Sequence, residues 1–463
     1  MSKNGLIYDI NDKPQLKKLI VYAIQQLLAI MAATLVVPVI IGNGMDPAAA
    51  LLGAGLGTLV YVAFTAKKSP VFLGSSFAFL GSMGAAFAGG VSMSLGYLGL
   101  ILGAIFAGLV YVGIALVVKK VGVGWINKLM PAIIIGPTVA VIGLSLAGNA
   151  IGDLQSGGVK IANVSVCSPL IAVLCGVVTF LVTTICANSK KQNIKLIPFI
   201  IGIGAGYVLA VLFTIIGNIA DVDALKVVSF EPFKKLVEGG VSIETFLRFP
   251  DFTFLTAFKG GYDAGAVGSV GAYIGKIAVA YIPVAFVVFA EHIADHKNIS
   301  SIIGKDLLEE PGLDKTLLGD GVGSMVGAFF GGCPNTTYGE SVACVAITRN
   351  ASVYTIMTAA IGAILIAFLS PFVALVNSIP SCVMGGVCMA LYGFIAVSGL
   401  KMIQQVDLGD DKNLFVVSVI LVAGIGGLSL NFGAVTITNV ATALILGIIT
   451  NLVIQTVTKL QNK

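Results

Sequence analysis

Apolar residues fill long unbroken runs along this chain, at approximately 16–42, 47–66, 70–90, 94–118, 129–149, 166–187, 195–216, 266–290, 317–332, 335–348, 352–377, 381–400, 413–431 and 436–457. A helix needs about 20 apolar residues to cross a bilayer; most of the runs approach that length and a few fall short. None shows the two-residue alternation of a membrane β-barrel strand. The pattern therefore predicts an all-α polytopic membrane protein of roughly fourteen spans.

The polar positions between the runs are also ordered. Lys3, Lys13, Lys17 and Lys18 precede the first run, and Lys67 and Lys68 follow the second. Lys119, Lys120 and Lys128 follow the fourth, and Lys190, Lys191 and Lys195 the sixth. Lys297, Lys305 and Lys315 follow the eighth, Arg349 the tenth, Lys401 and Lys412 the twelfth, and Lys459 and Lys463 the last. Intervening short loops such as 42–47 and 89–95 carry no basic residue. Cytoplasmic loops are the ones enriched in lysine and arginine, so an even number of spans with both termini cytoplasmic is expected. Segment 217–265 is the one long polar connection, expected outside the cytoplasm, because long loops translocate largely regardless of their charge.

Composition agrees: 57% of residues are hydrophobic and 11% charged, against about 25% charged in soluble domains. The 57 glycines suit closely packed membrane helices. A net charge of +5 belongs to the basic loops and gives no nucleic-acid surface. The seven cysteines lie in or beside apolar runs without metal-ligand spacing, so they are expected to be packing residues, with no metal bound. Charges from Lys3 to Lys18, followed by an overlong apolar stretch, do not fit a cleavable signal peptide.

Segment 217–265 divides the runs into two groups of about seven. Two halves of odd span number insert with opposite orientation, the condition for the inverted repeats common in secondary transporters. The third run of each half supports the repeat. The first half has Ser69-Pro70-Val71-Phe72-Leu73-Gly74-Ser75-Ser76-Phe77, and the second has Gly332-Cys333-Pro334-Asn335-Thr336-Thr337-Tyr338-Gly339-Glu340. Each has a proline, then a pair of hydroxyl residues, then an aromatic. Residues 70–74 and 331–335 are poor helix formers, so short extended stretches leading into half-helices are expected in spans 3 and 10. Such paired interruptions point to a transporter binding site.

A second concentration of chemistry lies at Ala290-Glu291-His292-Ile293-Ala294-Asp295-His296, which holds both histidines of the chain. Ionisable groups in a membrane-length run are costly and mark functional sites. Glu291 and Asp295, four apart, share a helix face, with His292 and His296 on the neighbouring one. Two carboxylates one turn apart in a low dielectric do not both ionise cheaply, which suits the pair to carrying a proton. Glu340, at the start of a half-helix, stands beside unpaired backbone N–H groups. Together these groups suit a flat neutral ligand with alternating donors and acceptors, backed by an aromatic face such as Phe77. Two blander readings stand beside this one. The cluster could be a solvated polar cap at a helix end, strongest for His296 and even for His292; a zinc site lacks H-E-x-x-H and a third histidine.

These residues are familiar. A-E-H-I-A-D-H with P-N-T-T-Y-G-E resembles the nucleobase–ascorbate transporter (nucleobase–cation symporter) family, and within it the uracil permeases. Leu73–Phe79, Gln25–Thr34, Pro311–Lys315, Ala346–Arg349 and Val383–Val387 add to a likeness along the full length. The resemblance implies fourteen spans in two inverted repeats of seven, divided between a core and a gate. It places core in 1–120 and 266–378, gate in 121–216 and 379–463, and an extracytoplasmic connection in 217–265. It implies that Glu291 and Glu340 hold the base, that Phe77 packs near it, and that the Phe77 and Gly339 amides meet its carbonyl oxygens. Asp295 with Glu291 would couple the proton, and Gln26, Ser76, His292 and Tyr338 are further candidates. Asp295 stands where some uracil permeases have histidine, and Gln26 where many members have histidine. Glu340 followed by Ser341 favours uracil over xanthine or another purine, the alternative substrates. The implied protein is a proton symporter of the cytoplasmic membrane, not an enzyme, without cofactor, and a homodimer through its gate domains. An inorganic-anion carrier and an intramembrane metalloenzyme are the remaining rivals; Glu340 argues against the first and the missing metal ligands against the second.

Overall fold

The computed structural model describes residues 5–161, 164–432 and 435–461. The first half contains α1 (Leu16–Ile41), α2 (Pro47–Phe64), strand β1 (Leu73–Ser75), α3 (Leu80–Phe87) and α4 (Met93–Val121). It continues with α5 (Ala132–Ser145, prolonged by Ala147–Leu154), α6 (Pro169–Ala187) and α7 (Pro198–Ile219). The second half contains α8 (Val270–Ile303), α9 (Leu313–Gly331), β2 (Asn335–Thr337), α10 (Gly339–Thr348) and α11 (Val353–Ile366). It ends with α12 (Ser381–Ile403), α13 (Asp411–Ile425) and α14 (Asn439–Gln461). The chain is a mostly helical, multi-pass membrane protein.

Not every apolar run forms a single helix of full crossing length. Among the described residues, nine helices are long and apolar enough to span a bilayer, and α3, α9, α10, α11 and α13 are not among them. The physical reasons differ. In α3 and α10 part of the run is spent on strand. Helix α9 is diluted by glycines and carries Asp314, Lys315 and Asp320. Helix α11 ends at Ile366 and a short helix, Ser370–Ser378, uses the rest of its run. Helix α13 ends at Ile425, before strand residues Leu430–Phe432. Two local antiparallel pairs, Lys160–Ile161 with Val164–Ser165 and Leu430–Phe432 with Val435–Ile437, are further additions that hydropathy does not reveal.

The helices pack as two groups. In one, α9 lies against α2 and α4, α11 against α2 and α1, and α8 against α4. In the other, α12 lies against α5 and α6, α7 against α6, and α13 against α5 and α14. Small residues allow close crossing of α2 and α9, where a Cβ on Gly53 would lie 2.5 Å from Gly327 O and one on Gly57 2.6 Å from Gly323 O. With lipid on both sides there is little hydrophobic gain in helix association, so such backbone approach supplies the van der Waals contact.

At the centre of the first group the two interrupted segments meet. Strands β1 and β2 pair antiparallel, with Leu73 opposite Thr337, Gly74 opposite Thr336 and Ser75 opposite Asn335. Each strand runs directly into its helix, through the 3-10 turn Phe77–Phe79 for α3 and at Gly339 for α10. Antiparallel strands send the two half-helices in opposite directions, so their N-termini face one another across the crossing. Non-helical backbone at membrane depth is tolerated only where its polar groups are satisfied within the protein. That condition is met here: Ser76 N donates to Pro334 O (2.9 Å), Tyr338 N to Phe72 O (3.1 Å) and Leu73 N to Thr58 Oγ1 (2.9 Å).

Candidate functional site

The crossing of β1 and β2 is held by buried side chains from four segments. Asn335 Nδ2 donates to Gly53 O on α2 at 3.2 Å, and Tyr338 OH donates to Ser75 O at 2.8 Å. Ser341, in the first turn of α10, accepts through its hydroxyl from Phe72 N (3.0 Å) and from Gln26 Nε2 on α1. Gln26 is 2% exposed, so its amide ties α1 to α10. Tyr338 likewise spends its hydroxyl on the opposite strand. Ser76 is fully buried, and its hydroxyl has no protein partner among the described residues.

Helix α8 passes beside this crossing. Asp295 Oδ2 accepts from Thr337 Oγ1 at 2.8 Å, and a Cβ on Gly339 would lie 3.7 Å from Asp295 Oδ1. The Asp295 carboxylate therefore sits between the end of β2 and the start of α10. Glu291, one turn earlier, is half-buried, as is Glu340, while Gly339 is exposed at the head of α10. Glu291 lies within electrostatic range of Asp295, Glu340 and Asp320. Phe77 is 7% exposed and meets Tyr392 of α12 edge-to-face, with ring centroids 5.6 Å apart. Phe77 thus stands where the two packing groups touch.

The histidines lie elsewhere than a solvated cap would put them. Helix α8 continues past them to Ile303, and both are fully buried. That corrects the polar-cap reading: residues 297–303 add nearly two more turns, and α2 and α9 cover the rings. His292 Nδ1 lies 2.7 Å from Asp320 Oδ2, and its Nε2 lies 3.0 Å from Thr316 Oγ1, both on α9. The Thr316 hydroxyl proton is directed at Leu313 O (3.2 Å), so His292 Nε2–H donates to Thr316, and a proton is shared between Nδ1 and Asp320. His296 donates from Nδ1 to His292 O (2.8 Å), which leaves its Nε2 to accept from Tyr61 OH on α2 (2.7 Å). The two imidazoles stack at 4.0 Å. The pair thus fastens α8 to α9 and α2 behind the carboxylates.

Sequence reading passed over Asp320, Thr337, Thr316 and Tyr61. Asp320 had a visible signal, since it is a lone carboxylate within an apolar run and falls under the rule that flagged Glu291. Thr337 had a weaker one, as half of a hydroxyl pair beside an aromatic. Asp295, Asp320 and Glu340 place three further carboxylates within electrostatic range of Glu291, four in all. Among the described residues, His292 is the only cation-capable side chain hydrogen-bonded to them. Four uncompensated negative charges in so low a dielectric would be prohibitive. The arrangement calls for protons, or for a ligand that donates to the carboxylates.

The sequence model of a family described as a permease family matches residues 17–433. The chain belongs to that family, the nucleobase–ascorbate transporters. As a member it is a membrane transporter and not an enzyme. The chain is similar to the uracil permease of Bacillus caldolyticus, 37% identical over 97% of this chain and 95% of that one. It is 35% identical to the uracil permease of Bacillus subtilis (strain 168), over 98% and 96%, and 33% identical to that of Escherichia coli (strain K12), over 98% and 95%. Among solved structures, its fold is similar to the transmembrane domain of the cyanobacterium bicarbonate transporter BicA. The TM-score there is 0.58 at 15% identity, covering 96% of this chain and 100% of that one. Murine Slc26a9, an anion transporter in the inward-facing state, matches with TM-score 0.60 at 10% identity over 97% of this nucleobase–ascorbate transporter chain and 69% of that one.

Proposed function

We propose that this chain is a uracil permease that imports uracil together with protons across the cytoplasmic membrane, with both termini inside. The observation that carries the reading is the β1–β2 crossing. It sets the first turn of α10, with Gly339 and Glu340, beside the Asp295 carboxylate and the acidic face of α8. Relatives named uracil permeases at 33–37% identity supply the substrate.

In this reading Glu291 and Glu340 accept from the ring N–H groups of uracil. The first backbone N–H groups of the two half-helices, at Phe77 and Gly339, lack intrahelical partners and donate to its carbonyl oxygens. The Phe77 ring packs against the flat face. Asp295, with Glu291, takes the proton: it accepts from Thr337 Oγ1 and lies beside Gly339 at the head of α10, within electrostatic range of Glu291 and Glu340. Fourteen spans in two inverted repeats provide the frame. The first packing group, 1–120 with 266–378, is the core that carries the base, and the second, 121–216 with 379–463, is the gate it moves against.

Labelled uracil uptake into proteoliposomes tests the function. Uptake should exceed that of empty liposomes and rise with an inward proton gradient, and excess xanthine should not compete. Uptake no greater than that of empty liposomes overturns the reading. Asp295→Asn tests the coupling residue. The amide keeps an acceptor for Thr337 but cannot release a proton, so uracil binding should stay within about threefold, a cost below about 1 kcal/mol, while gradient dependence is lost. An Asp295→Asn protein that keeps both moves the proton to another group.

A further inference from the structure

Beside Phe77, and lined by none of the four carboxylates, the two packing groups part around a cavity of about 310 Å³. One wall carries Phe77, Gly81 and Gly84; the other carries Ser145, Asn149 and Asn439. The cavity reaches Ile41 at the end of α1 and Asn439 at the start of α14. It therefore lies in the half of the molecule away from both termini, the outer half in the orientation proposed above. Where the walls close, a Cβ on Gly81 would come 3.1 Å from Thr438 Cγ2. A molecule moving inward from the cavity meets the Phe77 ring next.

The chemistry of the lining is specific. No lining residue is charged, so an ion entering here would lose its hydration without compensation, at a cost of several kcal/mol. The polar groups are the carboxamides of Asn149 and Asn439 and the hydroxyls of Ser145 and Thr438. Asn439 donates its Nδ2 to Gly424 O (2.8 Å) and Ser145 its hydroxyl to Ile142 O (3.1 Å); both keep oxygen lone pairs as acceptors. Asn149 is exposed and offers donor and acceptor together. An amide side chain reads the alternating N–H and C=O edge of a lactam ring, as two amides pair with one another. An apolar cavity of this size, with a few convergent polar groups and one aromatic face, has the form of a small-molecule site.

We propose that this cavity is a second, outer subsite that takes a neutral single-ring nucleobase before it passes Phe77 to the carboxylates. The ligand class rests on the uracil reading above; the site itself rests on the cavity. The subsite holds the base by carboxamide pairing and ring contact, without a carboxylate, so it discriminates by charge and edge pattern ahead of the inner site.

Gly84→Cys makes the subsite visible to a maleimide without touching either carboxamide, because Gly84 lines the cavity, is exposed, and all seven native cysteines are buried. The experiment compares labelling of purified Gly84→Cys with labelling of the same variant carrying Glu340→Ala, whose inner site is disabled. Uracil should slow labelling at least threefold in both backgrounds, and orotate, a pyrimidine carboxylate, in neither. Protection that vanishes with Glu340→Ala overturns the subsite, as does a failure to protect in a protein whose equilibrium binding of uracil is intact. A parent chain that binds no uracil overturns the functional reading instead, so the two failures are distinguishable. Gly84→Phe gives a second measure. A Cβ there meets nothing within 4 Å, so the ring can enter the cavity without backbone strain. Uptake from outside should fall at least tenfold while uracil binding in detergent stays within twofold, and unchanged uptake counts against the subsite.

Discussion

Truncation of Glu340 to alanine is expected to weaken uracil binding by at least about 100-fold and to take uptake to background. A hydrogen bond to a charged acceptor contributes about 1.5–3 kcal/mol net, and the ring N–H left facing the cavity then loses its partner without regaining water. Together these come to about 3 kcal/mol, which is about two decades in affinity. The change should be confined to the ligand. Glu340 is half-buried in the first turn of α10, and the hydrogen bonds that anchor that turn come from Ser341. Elution on size exclusion and thermal unfolding should therefore match the parent. Glu340→Gln keeps one acceptor and should fall between the two. Equilibrium binding of labelled uracil is the measurement, and near-parental affinity in Glu340→Ala would remove this carboxylate from the site. A carboxylate at the head of a half-helix also disfavours an anionic ligand there.

How much of this site could be read from the sequence depended on whether a signal was local. The interrupted segments were legible because proline, glycine and hydroxyl residues break a helix wherever they fall, and two matched breaks are visible without a partner. Glu291 and Asp295 were legible because a carboxylate in an apolar run is conspicuous on its own. The direction each side chain takes from α8 was not. That helix packs against α3, α4, α5, α10 and α14, with α2 and α9 reached through side chains, and a helix apolar on nearly every side gives no stripe to orient it. So His292 and His296 read equally well as solvated groups, until Asp320 and Tyr61, on other helices, are seen to hold them. Gln26 was picked out as a candidate, but its partner Ser341 is 315 residues away in sequence, and no spacing rule connects the two. The span count is legible only in part for a related reason. Hydropathy measures how apolar a run is, not how much of it is one helix, and the runs holding β1 and β2 divide between a short strand and a half-helix.

Replacing Gly74 by alanine should be nearly as damaging as removing Glu340, although residue 74 offers no side chain to the ligand. Gly74 lies opposite Thr336 in the crossing, and a Cβ added there would overlap the ring of Tyr338. That ring is 4% exposed, with its hydroxyl on Ser75 O and its backbone N–H on Phe72 O. It has no free space to retreat into. Either the ring leaves and breaks the bond to Ser75, or the strands separate and lose their register. Overpacking of this kind costs about 1–3 kcal/mol, and Tyr338 directly precedes Gly339 and Glu340, so the displacement passes to the head of α10. Binding groups must be held to within about 0.5 Å. Uptake by Gly74→Ala should accordingly fall below about a tenth of the parent, with the unfolding temperature lowered by a few degrees. A second substitution identifies the cause. Tyr338→Leu removes the ring and should itself destabilise, but in the double variant the two losses should be less than additive by more than about 0.5 kcal/mol, as for groups in direct contact. Strict additivity, or a Gly74→Ala protein with parental uptake, would mean that the crossing is looser than its packing indicates and does not set the position of Glu340.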